Sequence, residues 1–153
     1  MMTFAEFQER LNQAGRLLIP EMARAMQRGA RLVQRWSQQY YLKGPRPEKL
    51  GVVGGRLWRS ITTAVEVEGT RVTALVGTNV VYGRIHEKGG TIRPRRGQYL
   101  HFKGLRGWVM VRQVHMPPRP FLSTAIRDKQ KEVIQMQADA AVAHLKKTLL
   151  KVI

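Results

Sequence analysis

The chain has 153 residues, 43% of them hydrophobic, enough for one domain with a buried core and too apolar for a disordered tail. It has no cysteine, which excludes a disulfide framework, a thiolate zinc site and a cysteine nucleophile. Its 27 Lys+Arg stand against 10 Asp+Glu, a formal charge of +17, and 18 of the 27 are Arg. The forked guanidinium suits phosphates and carboxylates, so the expected partner is anionic: nucleic acid or an acidic protein surface.

No apolar run approaches the roughly 18 residues that span a bilayer, and the first ten residues lack a signal-type apolar stretch. The chain therefore reads as soluble and unprocessed, made in a reducing compartment, with no membrane partner. Residues 3–12 open it as a short amphipathic helix. Phe4, Phe7 and Leu11 recur at helical spacing, and Thr3 with Glu6 forms a capping-box pattern. Gly15 and Pro20 interrupt that pattern, so a break or kink is expected between them.

From Pro20 to about Tyr40 the spacing predicts a longer helix, with Met22, Met26, Val33, Trp36 and Tyr40 on one apolar stripe. Arg24, Arg28, Arg31 and Arg35 fall within roughly 60° of one another on the opposite side. They form either a solvated face or a basic rail against an anionic partner. Stacked like charges cost roughly a few tenths of a kcal/mol per pair, and only Glu21 offsets them nearby, which favours the rail.

Residues 42–55, LKGPRPEKLGVVGG, are expected to be a mobile linker that orders on assembly. Residues 60–68 then alternate as a strand, with Ile61, Thr63, Val65 and Val67 on the inner face and Glu66 and Glu68 outside. Gly69 serves the turn, and Val72, Ala74 and Val76 return along a second strand. Residues 98–102 and 108–115 read as two more strands joined by the five-residue loop KGLRG. The last segment, 120–150, reads as one helix, with Leu122, Ile126, Val133, Met136 and Ala140 facing inward. The expected fold is α+β: a small antiparallel sheet of about four strands packed against long N-terminal and C-terminal helices. It is a single domain, 1–153, divided into a helical part 3–41, the linker 42–55, the sheet 56–116 and the helix 120–150.

His86 beside Glu87 invites a catalytic reading. A zinc protease needs H-E-x-x-H, and position 90 is Gly. His101, His115 and His144 stand singly, with no metal-ligand spacing. There is no G-x-S-x-G, no P-loop and no G-x-G-x-x-G. Neither an enzyme nor a metal or cofactor site is expected. Nucleic-acid binding carries more weight. Between Arg84 and Arg119 lie nine Lys+Arg and one acid, interleaved with Tyr99, Phe102 and Trp108. Such a mix can stack bases and grip phosphates, although alternation along strands turns these aromatics toward the sheet core. A basic nucleic-acid binder, either lining a DNA channel or of ribosomal type, is the alternative function.

The segments GRLWRSI, LVGTNVVYGRIHEKGGTI, YLHF and WVMVRQVHMPPRPFLSTAI occur in that order from Gly55 to Ile126. Their order and spacing resemble the phage virion morphogenesis, or tail-completion, family. Its pattern has a strand-opening G-x-L-x-x-S, a tyrosine with a His-x-x-Gly-Gly turn, and a late R-P-F-L. Here these are Gly55, Leu57 and Ser60; then Gly77, Asn79, Tyr82, His86, Gly89 and Gly90; then Arg119, Pro120, Phe121 and Leu122. The resemblance implies a virion structural protein of the head–tail neck. It implies six- or twelve-fold rings of copies of itself and contacts with adjacent neck, portal-side or tail-tube proteins, with DNA passing through the channel.

Within that pattern, Val80–Glu87 is long enough for two helical turns capped by Asn79, with Tyr82 and Ile85 inward. Gly89 takes a left-handed closing position, and His86 donates to the last carbonyls. Pro120 suits the first turn of the final helix, and Phe121 and Leu122 seat it on the sheet. Arg119 is left for a polar contact, either to the Glu87 region or to a neighbour. Arg93, Arg95, Arg96, Lys103 and Arg106 form a protruding basic hairpin, facing either an acidic protein surface or DNA. A lumen that grips phosphates opposes sliding of DNA, which favours protein.

Overall fold

The computed structural model of the chain describes residues 3–44, 49–51, 54–104 and 107–149. Helix α1 runs over Phe4–Trp36. Its capping box forms as the sequence predicts: Thr3 N donates to Glu6 Oε2 at 2.8 Å, and Glu6 N to Thr3 Oγ1 at 3.3 Å. The Thr3 hydrogen bonds hold the Glu6 carboxyl below its ordinary range.

The break expected between Gly15 and Pro20 does not occur. Pro20 lies inside the helix, where its missing N–H leaves the carbonyl four residues back without a helical partner. Tertiary packing on both sides of it carries the helix through. Before it, Ala14 is buried and its carbonyl accepts from His144 Nε2 at 3.1 Å. After it, Ala25, Gly29, Ala30 and Val33 are buried. These small residues let α4, Leu122–Leu149, approach closely: a Cβ built on Gly29 would stand 2.8 Å from Val133 Cγ1.

The stripe is thus made of smaller residues than expected. Met22 and Met26 are half-buried, and Tyr40 lies outside, stacked on Trp36 with ring centroids 3.7 Å apart. The backbone widens to a π-helix over Ser37–Leu42, and the extra residue in the turn rotates Leu42 into the core.

Gly55, at φ 69°, starts a helical turn, α2, over Arg56–Ser60. These residues were expected to open the first strand. Ser60 Oγ donates to the Leu57 carbonyl at 2.8 Å, and Leu57 and Trp58 pack on the core. Strand β1, Ile61–Glu68, then pairs antiparallel with β2, Arg71–Thr78, from Ile61↔Thr78 to Glu68↔Arg71. Gly69, at φ 58°, makes the turn. Gln27 Nε2 donates to Thr63 Oγ1 at 2.9 Å and Gln34 Nε2 to the Ile61 carbonyl at 2.6 Å, fixing the ribbon on α1. Helix α1 is thereby flanked by β1–β2 and by α4.

The α+β layout with long terminal helices holds, but the strands form three two-stranded ribbons. β3, Gly90–Ile92, pairs with β6, Val114–Met116; β4, Leu100–Gly104, pairs with β5, Gly107–Val111. The stretch expected as one strand over 108–115 breaks at Arg112 and Gln113, so its two halves take different partners. Pairing in β4–β5 continues to Gly104↔Gly107, which shortens the predicted KGLRG loop; Arg106 lies outside the described residues.

The core joins Leu42, Leu50, Ile61 and Phe121, with Ile61 and Phe121 each 1% exposed. Leu42 and Leu50 anchor the stretch expected as a linker at two points; residues 45–48 and 52–53 lie outside the described residues. On α4, Ala125 takes the buried place expected for Ile126, which is exposed.

Candidate functional site

The motif residues converge on one junction. Ser60 Oγ and Thr78 Oγ1 are 2.6 Å apart, tying the start of β1 to the end of β2. Thr78 Oγ1 also accepts from Val80 N at 3.1 Å, and Gly83 N donates to the Val80 carbonyl at 2.8 Å. That turn consumes the residues expected to begin a helix at Val80. Helix α3 therefore starts later, over Gly83–Lys88, with Tyr82 and not Asn79 at its N-cap and no side-chain cap. Asn79 is exposed beside Arg56 and Arg59. Val80 is buried in its place, and Tyr82 is partly exposed, edge-on to His86, rather than inward. Gly83 is buried because nothing larger fits: a Cβ there would meet Thr78 Cγ2 at 2.7 Å and Leu57 Cδ1 at 3.4 Å.

The end of α3 grips the start of α4. One Glu87 oxygen accepts from Phe121 N at 2.8 Å and Leu122 N at 3.0 Å. The other accepts from Ser123 N at 2.8 Å and Ser123 Oγ at 2.6 Å. The first turn of α4 has no acid of its own. Glu87 supplies from another element the carboxylate that free helix N–H groups and the helix dipole favour. Burial pushes its carboxyl up, but the hydrogen bonds from Leu122, Ser123 and Phe121 outweigh that and hold it below the ordinary range.

Beside this clasp, Arg119 N donates to the His86 carbonyl at 2.7 Å, a main-chain bond that ties the approach to α4 onto α3. Gly89 closes α3 with positive φ, 69°, but with ψ −174°, an extended rather than left-handed helical value. A Cβ on it would lie 2.8 Å from Pro118 N and 2.9 Å from the Met116 carbonyl oxygen. Gly90 also has positive φ, whereas Gly77 faces open space. Pro120 precedes α4, its carbonyl accepting from Thr124 Oγ1 at 3.2 Å. Phe121 and Leu122 reach the core.

Sequence reasoning missed Glu87 and Ser123. A signal existed: the PRPFLSTAIR run begins a long helix without a local acid, so its cap must come from elsewhere.

The cationic residues do not form one surface. Arg24 and Arg28 line a groove between α1 and α4, with Arg10 and Lys147 around Leu17 and Ala140. Arg24 is paired to Glu21 at 2.7 Å. Arg31 and Arg35 are exposed outside that groove. Arg93, Arg95, Arg96 and Lys103 are exposed along β3–β4 and the segment between.

The β4–β5 ribbon packs on no other element extensively. Tyr99, Phe102 and Trp108, expected in a sheet core, are all exposed, because the ribbon has no layer behind it. The pairs Lys103↔Trp108 and His101↔Met110 place those four residues on one face. Trp108 is 80% exposed and Met110 59%.

One turn further along α4, Asp128 ties the same end of that helix to the C-terminal end of α1 and to the π-helix. Asp128 accepts from the Tyr41 hydroxyl and, at 3.2 Å, from Trp36 Nε1. The Tyr41 hydrogen bond holds the Asp128 carboxyl low and raises the Tyr41 hydroxyl. Among the described residues no group of three or more His, Asp or Glu is placed to hold a metal ion.

The family model that matches this chain, that of the phage virion morphogenesis family, spans residues 8–146 and so includes the whole junction. The chain belongs to the phage virion morphogenesis family. No curated protein and no solved structure matches it. As a member of that family it has a structural or assembly role in a phage virion. No helix among its described residues is long and apolar enough to cross a membrane.

Proposed function

We propose that this protein is a neck or tail-completion component: it assembles as a ring at the head–tail junction and joins head to tail through protein–protein contacts. The observation that carries this reading is the β4–β5 ribbon. It packs on no other element extensively, with Trp108 and Met110 exposed on the face that carries Lys103, and with exposed Arg95 and Arg96 in the segment that leads into it. A monomer gains nothing from an exposed tryptophan on an unsupported ribbon, whereas aromatic, Met and Arg side chains are enriched where proteins meet. The glycine-tight junction and the Glu87 clasp tie α3 to the start of α4 and so build the body from which the ribbon extends. Neighbouring copies, and portal-side or tail-tube proteins, are the partners this reading requires, and virion DNA passes through the ring without being gripped.

Two measurements test it. Phage that lack the protein should accumulate filled heads and finished tails that do not join, visible by electron microscopy. Joined, infectious particles in its absence would refute the role. For the nucleic-acid alternative, binding of the purified chain to duplex DNA is followed over a salt series. Tight binding with a steep salt slope would favour DNA as the partner of the basic residues.

A further inference from the structure

We infer that the β4–β5 ribbon of one copy docks on the outer face of β1–β2 of the next copy; the inference rests on the ring reading and names its subunit contact. Most of the acids are engaged within the chain. Glu6 caps α1, Glu21 pairs with Arg24, and Glu87 caps α4. Asp128 accepts from Tyr41 and Trp36, Glu132 pairs with Lys129, and Asp139 accepts from Gln135. Glu48 lies outside the described residues. In a chain of net charge +17, only Glu9, Glu66 and Glu68 among the described acids hold no hydrogen bond or ion pair within the chain.

Glu66 and Glu68 share one face of β1, the face turned away from α1. The register sets Glu66 opposite Thr73, Glu68 opposite Arg71, and Ala64 opposite Leu75 on that same face. All but the half-buried Thr73 are exposed, and Leu75 is a large apolar side chain without cover. The result is a patch with two acids and one cation, Arg71, beside an apolar centre: net negative on a chain that is otherwise strongly basic. The β4–β5 ribbon has the inverse pattern: apolar Trp108 and Met110 beside Lys103, with Arg95 and Arg96 leading into the ribbon. None of these three cations has an ion pair among the described residues.

Elsewhere, two copies of so basic a chain repel each other. Attraction requires that a basic surface find the local acids, and β1–β2 is where two uncommitted acids adjoin exposed apolar surface. The two surfaces lie on different ribbons that do not pack extensively on each other. The contact is therefore heterologous, with one kind of surface meeting another, which is the arrangement that closes rings.

The test is a charge swap on the full chain, read by mass photometry and sedimentation, with circular dichroism confirming that each variant folds. Glu66→Lys with Glu68→Lys should weaken self-association about a hundredfold or more, and so should the triple reversal Arg95→Glu, Arg96→Glu and Lys103→Glu. Mixing the two variants should restore assemblies in which they alternate. Each then offers the other a matched surface. Because the chain has no cysteine, a second readout is clean. Oxidation of a mixture of Glu66→Cys and Lys103→Cys chains should give a disulfide-linked dimer, which either variant alone does not form to the same extent.

Rings that form as readily in either reversal variant as in the wild type would overturn this contact and leave the ring standing. So would a mixture that fails to reassemble. A wild-type chain that stays monomeric at every concentration and gives no mixed cross-link would overturn both the contact and the ring.

Discussion

Glu87 and Ser123 are 36 residues apart in sequence, yet one carboxylate oxygen accepts both the main-chain N–H and the hydroxyl of Ser123. The other oxygen satisfies Phe121 and Leu122. A helix of 28 residues is thus started by a side chain from a different element. Because Phe121 is in the core, the clasp also fixes where α4 enters the body. Replacing Glu87 by Ala should destabilise the protein by about 1–2 kcal/mol, the range of a lost N-cap with its dipole interaction. Gln keeps an acceptor oxygen and should lose less. Urea unfolding of the three chains measures both; equal midpoints would show that the clasp contributes nothing.

The same clasp predicts the sign of a pH dependence in stability. The folded-state pKa of Glu87 is below its unfolded value, so its contribution is fully present above the unfolded value, about 4.3. It is lost as pH falls through the folded value. The stability gap between wild type and Glu87→Gln should therefore be constant from pH 7 to about pH 5 and shrink in stronger acid. A gap that widens in acid would contradict the assigned direction.

Two glycines of the same motif should behave oppositely. Gly89 combines positive φ with backbone atoms of Met116 and Pro118 inside the space a Cβ needs. Gly89→Ala should cost about 1–3 kcal/mol or more, since neither strain nor clash can be relieved by a side chain moving aside. Gly77 lies in a strand with open space above it. Gly77→Ala should be neutral or slightly stabilising. Thermal unfolding of both variants checks the pair; equal losses would mean that the motif's glycines share a demand the geometry does not reveal.

Local signals carried far in this chain, and distant ones did not. The Thr3–Glu6 box, the β1–β2 hairpin with its turn at Gly69 and the outward placement of Arg24, Arg28, Arg31 and Arg35 are legible because each depends on residues a few positions apart. The continuity of α1 through Pro20 was not, because α4 supplies the compensation from far along the chain. Trp108 was misplaced for a related reason: strand alternation says that a side is apolar, not that anything covers it. Likewise the spacing after His86–Glu87 showed that the H-E-x-x-H motif is absent, but the task of Glu87 required knowing that α4 begins beside it.

The proline inside α1 allows a stabilising change. Pro20 is exposed and withholds a hydrogen bond from the carbonyl of Arg16, four residues before it. Pro20→Ala should restore that bond and raise stability by about 1–3 kcal/mol, with more helix by circular dichroism. A loss of stability would instead mean that the proline ring, which lines the groove with Leu17 and Arg24, contributes more than the missing bond.

Trp108 separates folding from assembly. At 80% exposure on a ribbon with no layer behind it, it gives up little on folding. Trp108→Ala should leave the unfolding midpoint within about 0.5 kcal/mol of wild type. An exposed tryptophan that becomes buried between proteins is a different matter, because such residues carry about 2 kcal/mol or more of an interface. The same variant should therefore weaken self-association by about thirtyfold and reduce the yield of joined particles. If Trp108→Ala unfolds early, the ribbon has a role in the fold that its exposure conceals. If it folds, self-associates and joins particles like wild type, the ribbon is not the joining surface, and the search moves to the groove between α1 and α4 where Arg24 and Arg28 lie.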